Sequence, residues 1–265
     1  MKIIGVQFNI VWEDKLANYA RVRSLLEGTK VPTHSLIVLP ELFSTGFSMK
    51  VAELREGESS ETESFLASLA SQFHSYVVGG LIGTGRHDRG RNECVVFDPV
   101  GHLVCRYAKL HPFTLGKESQ HYSAGEEILT FDWEGITVSP FICYDLRFPE
   151  IFRIAALRGA QLFTVIANWP VKREAHWITL LQARAIENQT YVAGINRSGS
   201  DPNYVYPGRT IIVDPHGEIL ADGGKEEGIV AADIDVEKVV SWRREFPALG
   251  DMRKHFLADP APPAS

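Results

Sequence analysis

Glu41, Lys109 and Cys143 each stand where a strand-like apolar run gives out, and together they offer a carboxylate, an ammonium and a thiol. Cys143 ends the run ITVSPFIC and is followed by YDLRFPE, where the chain must turn before a helix opened by Pro149. A free cysteine is ordinarily a small buried apolar residue. An abrupt turn between strand and helix instead exposes the side chain and leaves backbone N–H groups free. Cys143 therefore reads as a nucleophile, with the N–H of Tyr144 available to a developing oxyanion. Glu41, in LPELFSTGF, has a plain reading as a helix cap or ion-pair partner. A partly buried carboxylate there can also take a thiol proton and return it to a leaving amine. Lys109, in YAKLHPF, would on its own be a surface lysine at a strand end. Beside Cys143 its charge favours thiolate and stabilises a tetrahedral oxyanion. Glu118, in TLGKESQHYSAG, is a loop carboxylate that could orient Lys109 and keep it charged. Spacing by itself does not bring these groups together, so the fold must.

The elements that would position them alternate along the chain. IIGVQFNI and SLIVLP are strand-like, the second running straight into Glu41, and residues 19–26 form part of a helix. Glu61 to Phe73 is helical, with Phe65, Leu66, Leu69 and Phe73 near one face. SYVVGGLI, ECVVFDP and HLVCRYAKL follow as strands, and DPVG makes a hairpin turn between the last two. The second half repeats this grammar. ITVSPFIC is a strand, Pro149 to Leu157 a helix, QLFTVIAN a strand, residues 173–188 a long helix, and TYVAGINR and RTIIVDP are strands followed by the turn PHGE. Two comparable halves imply two packed sheets with helices outside, in a single domain over residues 1–258 followed by a proline-rich tail at 259–265. On this reading Glu41 and Cys143 occupy corresponding positions of the halves, at the carboxyl ends of strands where α/β proteins gather functional groups.

Composition narrows the function classes. The 265 residues are 45% hydrophobic and 23% charged, with a formal net charge of -6 and no basic block, which argues against a nucleic-acid surface. No apolar run approaches the ~20 residues that span a bilayer. The first residues read as a strand interrupted by Gln7 and Asn9, not as an export signal, so a cytoplasmic setting with free thiols is expected. Cys94 and Cys105 lie inside strand patterns and read as core, and three cysteines are too few and scattered for a disulfide scaffold or structural zinc. The nine histidines show no metal spacing, and neither an HExxH nor a GxGxxG run occurs.

Taken together these segments resemble the carbon–nitrogen hydrolase (nitrilase) superfamily across essentially the whole chain. LPELFSTGF, YAKLHPF and ICYDLRFPE look like the family's glutamate, lysine and cysteine motifs, in order, and Glu118 in GKESQHYSAG matches its additional active-site glutamate. The segments ANWP, LLQARAIENQTYVAG, NRSGSD, YPGRTIIVDPHGEIL and REFPALGDMR are similar to the omega-amidase branch, the bacterial relatives of nitrilase-like protein 2. The resemblance implies a four-layer α–β–β–α sandwich, Glu41 as general base, Lys109 as oxyanion stabiliser, Cys143 as nucleophile and no cofactor. It further implies a homodimer formed through helices such as Pro149 to Leu157 and residues 173–188. The implied substrates are the terminal amides of 2-oxoglutaramate and 2-oxosuccinamate. N-carbamoyl amino acids, other aliphatic amides, nitriles and a non-catalytic scaffold are the alternatives. The lysine motif departs from the family at Pro112, where leucine is common, which puts the shape of the adjoining loop in question.

Specificity must come from the pocket walls. Phe43, Phe47, Phe113, Tyr144 and Trp169 could enclose a small acyl group, although aromatics are equally the material of ordinary cores. Arg173 or Arg209 could receive a substrate carboxylate. Arg184 and Glu187, three apart on one helix, read as an architectural pair.

Overall fold

The computed structural model describes residues 1–57, 60–253 and 255. Its first half runs β1 (Lys2–Gln7), α1 (Lys15–Glu27), β2 (Leu36–Val38), α2 (Val51–Leu54), α3 (Glu61–Phe73), β3 (Tyr76–Thr84), β4 (Gly90–Phe97), β5 (Leu103–Ala108) and α4 (Glu118–His121). The second runs β6 (Phe131–Trp133), β7 (Ile136–Ile142), α5 (Pro149–Leu157), β8 (Leu162–Ala167), α6 (Glu174–Asn188) and β9 (Tyr191–Asn196). It continues through β10 (Ser198–Ser200), β11 (Val205–Pro207), β12 (Ile211–Val213), β13 (Ile219–Asp222), β14 (Gly228–Asp233) and α7 (Val236–Glu245). The tail expected at 259–265 lies outside the described residues.

Local chemistry explains where the helices start and stop. The Asp14 carboxylate accepts the Ala17 N–H at 3.0 Å to open α1, and the Ser60 hydroxyl accepts the Glu63 N–H at 3.1 Å to open α3. Glu61 and Glu63 place negative charge on the positive end of α3. Pro149 occupies the first turn of α5, where its missing N–H costs nothing. The DPVG turn closes the β4–β5 hairpin with Gly101 at φ +87°, and PHGE closes β12–β13 with Gly217 at φ +89°.

Two six-stranded sheets result, ordered β14-β1-β2-β3-β4-β5 and β13-β12-β9-β8-β7-β6. Each has three parallel strands at its centre and antiparallel strands outside them. Strand alternation sorts the apolar residues. Ile4, Val6, Ile37, Val77 and Val95 pack with Val22, Leu26, Leu66 and Leu69 of α1 and α3. Ile3, Leu36, Val38, Val78 and Cys94 turn the other way, into a core shared with Trp133, Val138, Phe141 and Ile142 of the second sheet. Phe152 of α5 and Trp177 and Leu181 of α6 belong to that cluster too, and cover the second sheet's far face. The layers are therefore α–β–β–α, as expected. Cys94 and Cys105 are buried core residues. Among the described residues no helix is long and apolar enough to cross a membrane.

The halves correspond, but not in the way the sequence suggested. Matching the sheet orders equates β1, β2 and β3 with β7, β8 and β9. Glu41 follows the second parallel strand of its sheet, whereas Cys143 follows the first of the other. The counterpart of Glu41 is Asn168, just past β8. The misreading arose because strand order within a sheet leaves no trace in the alternation of apolar residues. β10, β11, β13, β14 and α7 were also not anticipated, since NRSGSDPNYVYPG reads as loop and Gly- and Glu-rich flanks mask the later strands.

Gly80, on β3, lets the strand pass directly beneath the chain that follows β2. A Cβ there would sit 2.8 Å from the Glu41 Cα and closer still to the Leu42 nitrogen, both immovable backbone. Gly80→Ala is expected to destabilise the fold by about 1–3 kcal/mol, read as a lower urea midpoint with unchanged slope. An unchanged midpoint would mean that this contact is slack.

Candidate active site

Glu41 leaves β2 and is followed by Leu42 in the left-handed region at φ +46°, a conformation that turns the chain sharply at the strand end. Lys109 directly follows β5 and stays in the ladder, its N–H donating to the Asn92 carbonyl at 2.9 Å. Glu118 opens the single turn of α4. All three are at most 2% exposed, so Glu41 is fully and not partly buried. They converge on one ammonium. Lys109 Nζ donates to Glu41 Oε1 at 2.9 Å and to Glu118 Oε1 and Oε2 at 3.1 and 2.8 Å.

Backbone and amide donors complete the cluster. Asn92 Nδ2 donates to Glu41 Oε1 at 2.6 Å and to Glu118 Oε1 at 2.8 Å. The N–H of Asn168 donates to Glu41 Oε2 at 2.8 Å, while its Nδ2 holds the Glu41 carbonyl at 2.7 Å. The Phe113 N–H donates to Glu118 Oε2 at 2.6 Å, and the His111 N–H to Asp145 at 2.9 Å. Pro112 sits between these two donors, so the family departure removes an N–H where the loop's neighbours already supply both anchors.

Cys143 begins a short 3-10 turn (Cys143–Arg147) at φ +47°. A non-glycine residue in that region costs of order 1–3 kcal/mol and persists only when its surroundings impose it. Buried Asp145 does so. Its Oδ2 accepts the Ile142 N–H at 3.1 Å and the Tyr107 hydroxyl at 2.7 Å, and its Oδ1 accepts the backbone N–H and meets the ring Nδ1 of His111, both at 2.9 Å. His111 also stacks on Phe148, with ring centroids 3.7 Å apart. Asp145 thus pins the turn carrying Cys143 to the strand and loop carrying Lys109. The first N–H groups of this turn have no acceptor within the turn.

Electrostatics follow from two carboxylates sharing one ammonium away from water. Burial pushes the Cys143 thiol well above the usual cysteine range, and the charges of Glu41 and Glu118 push the same way against the pull of Lys109 and the Asn168 N–H. Burial alone would lower Lys109, but Glu118, Glu41 and Cys143 outweigh it and hold the ammonium well above its ordinary value. Burial and the Glu41 charge raise Glu118, with Lys109 and Asn92 opposing. The resting arrangement is a neutral thiol beside a charged ammonium.

The surrounding cavity encloses about 410 Å³ of empty space, part of it open to solvent, and Glu41, Lys109 and Cys143 lie on its wall. Phe47, Phe113, Tyr144 and Trp169 line it, as the sequence suggested. Phe43 does not: it is fully buried between β-sheet and α3, against Tyr19 and Phe65. Arg173 lines the cavity, its guanidinium 5.3 Å from the Phe113 ring centre, whereas Arg209 is spent on ion pairs with Glu174 and Asp222 at 2.8 and 2.6 Å. Arg184 bonds Glu187 at 3.0 Å and the Leu146 carbonyl at 2.7 Å, an architectural tie between α6 and the turn below Cys143.

Sequence reasoning passed over Asn92, Asn168, Asp145, Arg147, Tyr204 and Tyr206. Arg147 stands 4.8 Å over the Trp169 ring, and burial followed by the Arg173 charge lowers its pKa. Neither arginine has a carboxylate partner among the described residues. Tyr204 and Tyr206 reach the cavity from the β10–β11 ribbon, and Tyr206 is backed by the buried Arg197 guanidinium 4.3 Å from its ring. The position of Arg147, four residues beyond Cys143, was the one available signal.

Comparison with known proteins identifies the family and the fold. Residues 5–244 match the family model for carbon-nitrogen hydrolase. A 2-oxoglutaramate amidase of Bacillus subtilis (strain 168) is 36% identical over 251 residues, covering 94% of this chain and 96% of the relative. The omega-amidase YafV of Yersinia enterocolitica is 38% identical over 261 residues, covering 97% and 98%. Among solved structures, XC1258 of Xanthomonas campestris, a CN-hydrolase superfamily protein with an arsenic adduct in the active site, superposes with a TM-score of 0.89 at 32% identity, covering 95% of this chain and 97% of that one.

A thiol held protonated in this way should react with iodoacetamide at a rate that still climbs above pH 9. Lys109→Met, which removes the largest positive charge opposing the shift, should move that rise to higher pH. Peptide mass spectrometry of Cys143 reads both, and a plateau reached below pH 8 would contradict the electrostatic account.

Proposed function

The chain belongs to the carbon–nitrogen hydrolase family, and from that membership we propose that it is an omega-amidase. It hydrolyses the terminal amide of small 2-oxo dicarboxylic acid monoamides, such as 2-oxoglutaramate and 2-oxosuccinamate, to the 2-oxo acid and ammonia. The observation that carries the reading is the joint presence, on one small aromatic cavity, of the thiol–carboxylate–ammonium cluster and two arginines without carboxylate partners among the described residues. Two like charges that repel each other at a cavity wall are arranged for an anion. The acyl group they suit carries a carboxylate.

In the proposed cycle Cys143 passes its proton to Glu41 as the sulfur attacks the amide carbon. The oxyanion is received by Lys109 Nζ and the N–H of Tyr144. Glu41 gives the proton to the departing nitrogen, so ammonia leaves and a thioester remains. Glu41 then takes a proton from water, the hydroxyl adds to the thioester carbon, and collapse returns the proton to sulfur and frees the acid. Glu118 keeps Lys109 charged and fixed throughout. Phe47, Phe113, Tyr144 and Trp169 enclose the acyl chain, and Arg173 with Arg147 binds its carboxylate. An N-carbamoyl amino acid also carries a carboxylate that these arginines would accept, so it is the second substrate class. The likeness to a 2-oxoglutaramate amidase favours the first.

Residues 1–258 form one domain in this reading, supported by a core that draws on both sheets. A homodimer in a cytoplasmic setting completes it. Leu157 at the end of α5 and Ile186 on α6 are 37% and 54% exposed and would be covered by the second copy; a monomer in sedimentation equilibrium would remove this part.

Ammonia release from 2-oxoglutaramate should be fast with the intact protein and absent with Cys143→Ala. Arg173→Gln should raise KM for 2-oxoglutaramate about tenfold or more while leaving hydrolysis of neutral glutaramide nearly unchanged. If the intact protein instead prefers an N-carbamoyl amino acid, the mechanism stands and the substrate class changes.

A further inference from the structure

Asn92 is 1% exposed and projects from β4 into the middle of the charged cluster. Its single side-chain nitrogen carries two hydrogens, and each finds a different carboxylate: Glu41 Oε1 at 2.6 Å and Glu118 Oε1 at 2.8 Å. Its main-chain carbonyl meanwhile accepts the Lys109 N–H at 2.9 Å. One residue therefore contacts all three members of the cluster, the lysine backbone to backbone and the acids through its side chain. The opposite orientation of the amide would point an oxygen at two anions, so charge fixes which end faces the cluster. That orientation leaves Asn92 Oδ1 buried without a hydrogen-bond partner, a penalty that a residue serving packing alone would not need to carry.

The two oxygens of Glu41 are consequently unequal. Oε1 is occupied by Lys109 Nζ and Asn92 Nδ2. Oε2 is held by the Asn168 N–H at 2.8 Å and only loosely by the Asn168 amide at 3.3 Å, which is already bonded to the Glu41 carbonyl. Oε2 bonds neither Lys109 nor Asn92 and is therefore the oxygen of Glu41 left open to a proton from the thiol. We infer that Asn92 is a positioning residue for the hydrolytic reaction: it binds Glu41 and Glu118 to Lys109 as two separately held carboxylates and reserves Glu41 Oε2 for proton exchange with Cys143. The inference rests on the proposed role of Glu41 as the proton carrier.

Losing the Asn92 donor removes a hydrogen bond to the charged form of each acid, and the Glu118 carboxyl, which that bond holds down, should protonate at higher pH. Asn92→Ala and Asn92→Ser, checked for folding by circular dichroism and thermal melting, are compared with the parent in two assays. In the first, kcat for 2-oxoglutaramate should fall about 10- to 100-fold in Asn92→Ala with KM little changed, and the acidic limb of the pH profile should move upward. Asn92→Ser retains one donor and should fall between the two. In the second, the rise of iodoacetamide reaction at Cys143 should also move to higher pH, because the carboxylates lose a donor that offsets their charge on the thiol, with no amide substrate involved. An upward shift in the alkylation limb without any ammonia release would uphold the positioning role and sink the substrate assignment. Folded variants whose limbs coincide with the parent's in both assays would overturn the inference, whatever their residual activity. Should Asn92→Ala fail to fold, the serine variant is read by the same two limbs.

Discussion

The arrangement depends on one buried ammonium shared by two carboxylates. Removing three charges from water is costly, and their mutual attraction offsets that cost only when geometry is tight and the remaining donors and acceptors are matched. The cluster meets the condition: Lys109 bonds both acids, and Asn92, Asn168 and Phe113 supply the other donors. Two negative charges on one positive leave an excess that the nearby thiol feels. The sulfur therefore rests protonated, and the carboxylate beside it is the natural recipient of its proton.

Rigid elements maintain that balance. Glu41, Lys109 and Cys143 emerge at or just past strand ends, Glu118 opens the short α4, and the strands are tied by hydrogen-bonded ladders. The second tie is Asp145, which joins the strained turn at Cys143 to the His111 and Tyr107 side of the first sheet. Stiffness on both sides of the inter-sheet core lets a residue hold left-handed backbone without relaxing out of it.

Much of this was legible in the sequence, for identifiable reasons. Glu41, Lys109 and Cys143 interrupt apolar runs, and a polar residue ending a buried strand stands out against its neighbours. The two-layered sheet plan followed from the repeated grammar of strands and helices. Asn92 was hidden because a neutral amide inside the RNECVVF strand disturbs the alternation no more than a serine would, and Asn168 because its chief service is a backbone N–H that every residue but proline owns. Phe43 and Phe47, four apart in one motif, look interchangeable, yet Phe43 serves the helix-facing core and only Phe47 meets the cavity. Arg209 lost its candidacy to two acids, Glu174 and Asp222, that lie far from one another in sequence.

The division of the site between the sheets has a consequence for how the chain can change. Both acids that bond the ammonium, and the lysine itself, come from residues before 120, on the first sheet's side, and the thiol and both arginines come from after 140, on the second's. At this place the protein behaves as a two-partner complex written on one polypeptide, with the core between the sheets as its interface. Substitutions on the helix-facing sides can drift within each layer and leave the chemistry alone. A change of sheet spacing or angle would separate reagents that each layer still presents intact. Neither half alone can then serve as a working precursor, and the inter-sheet residues carry a duty of alignment beyond their contribution to burial.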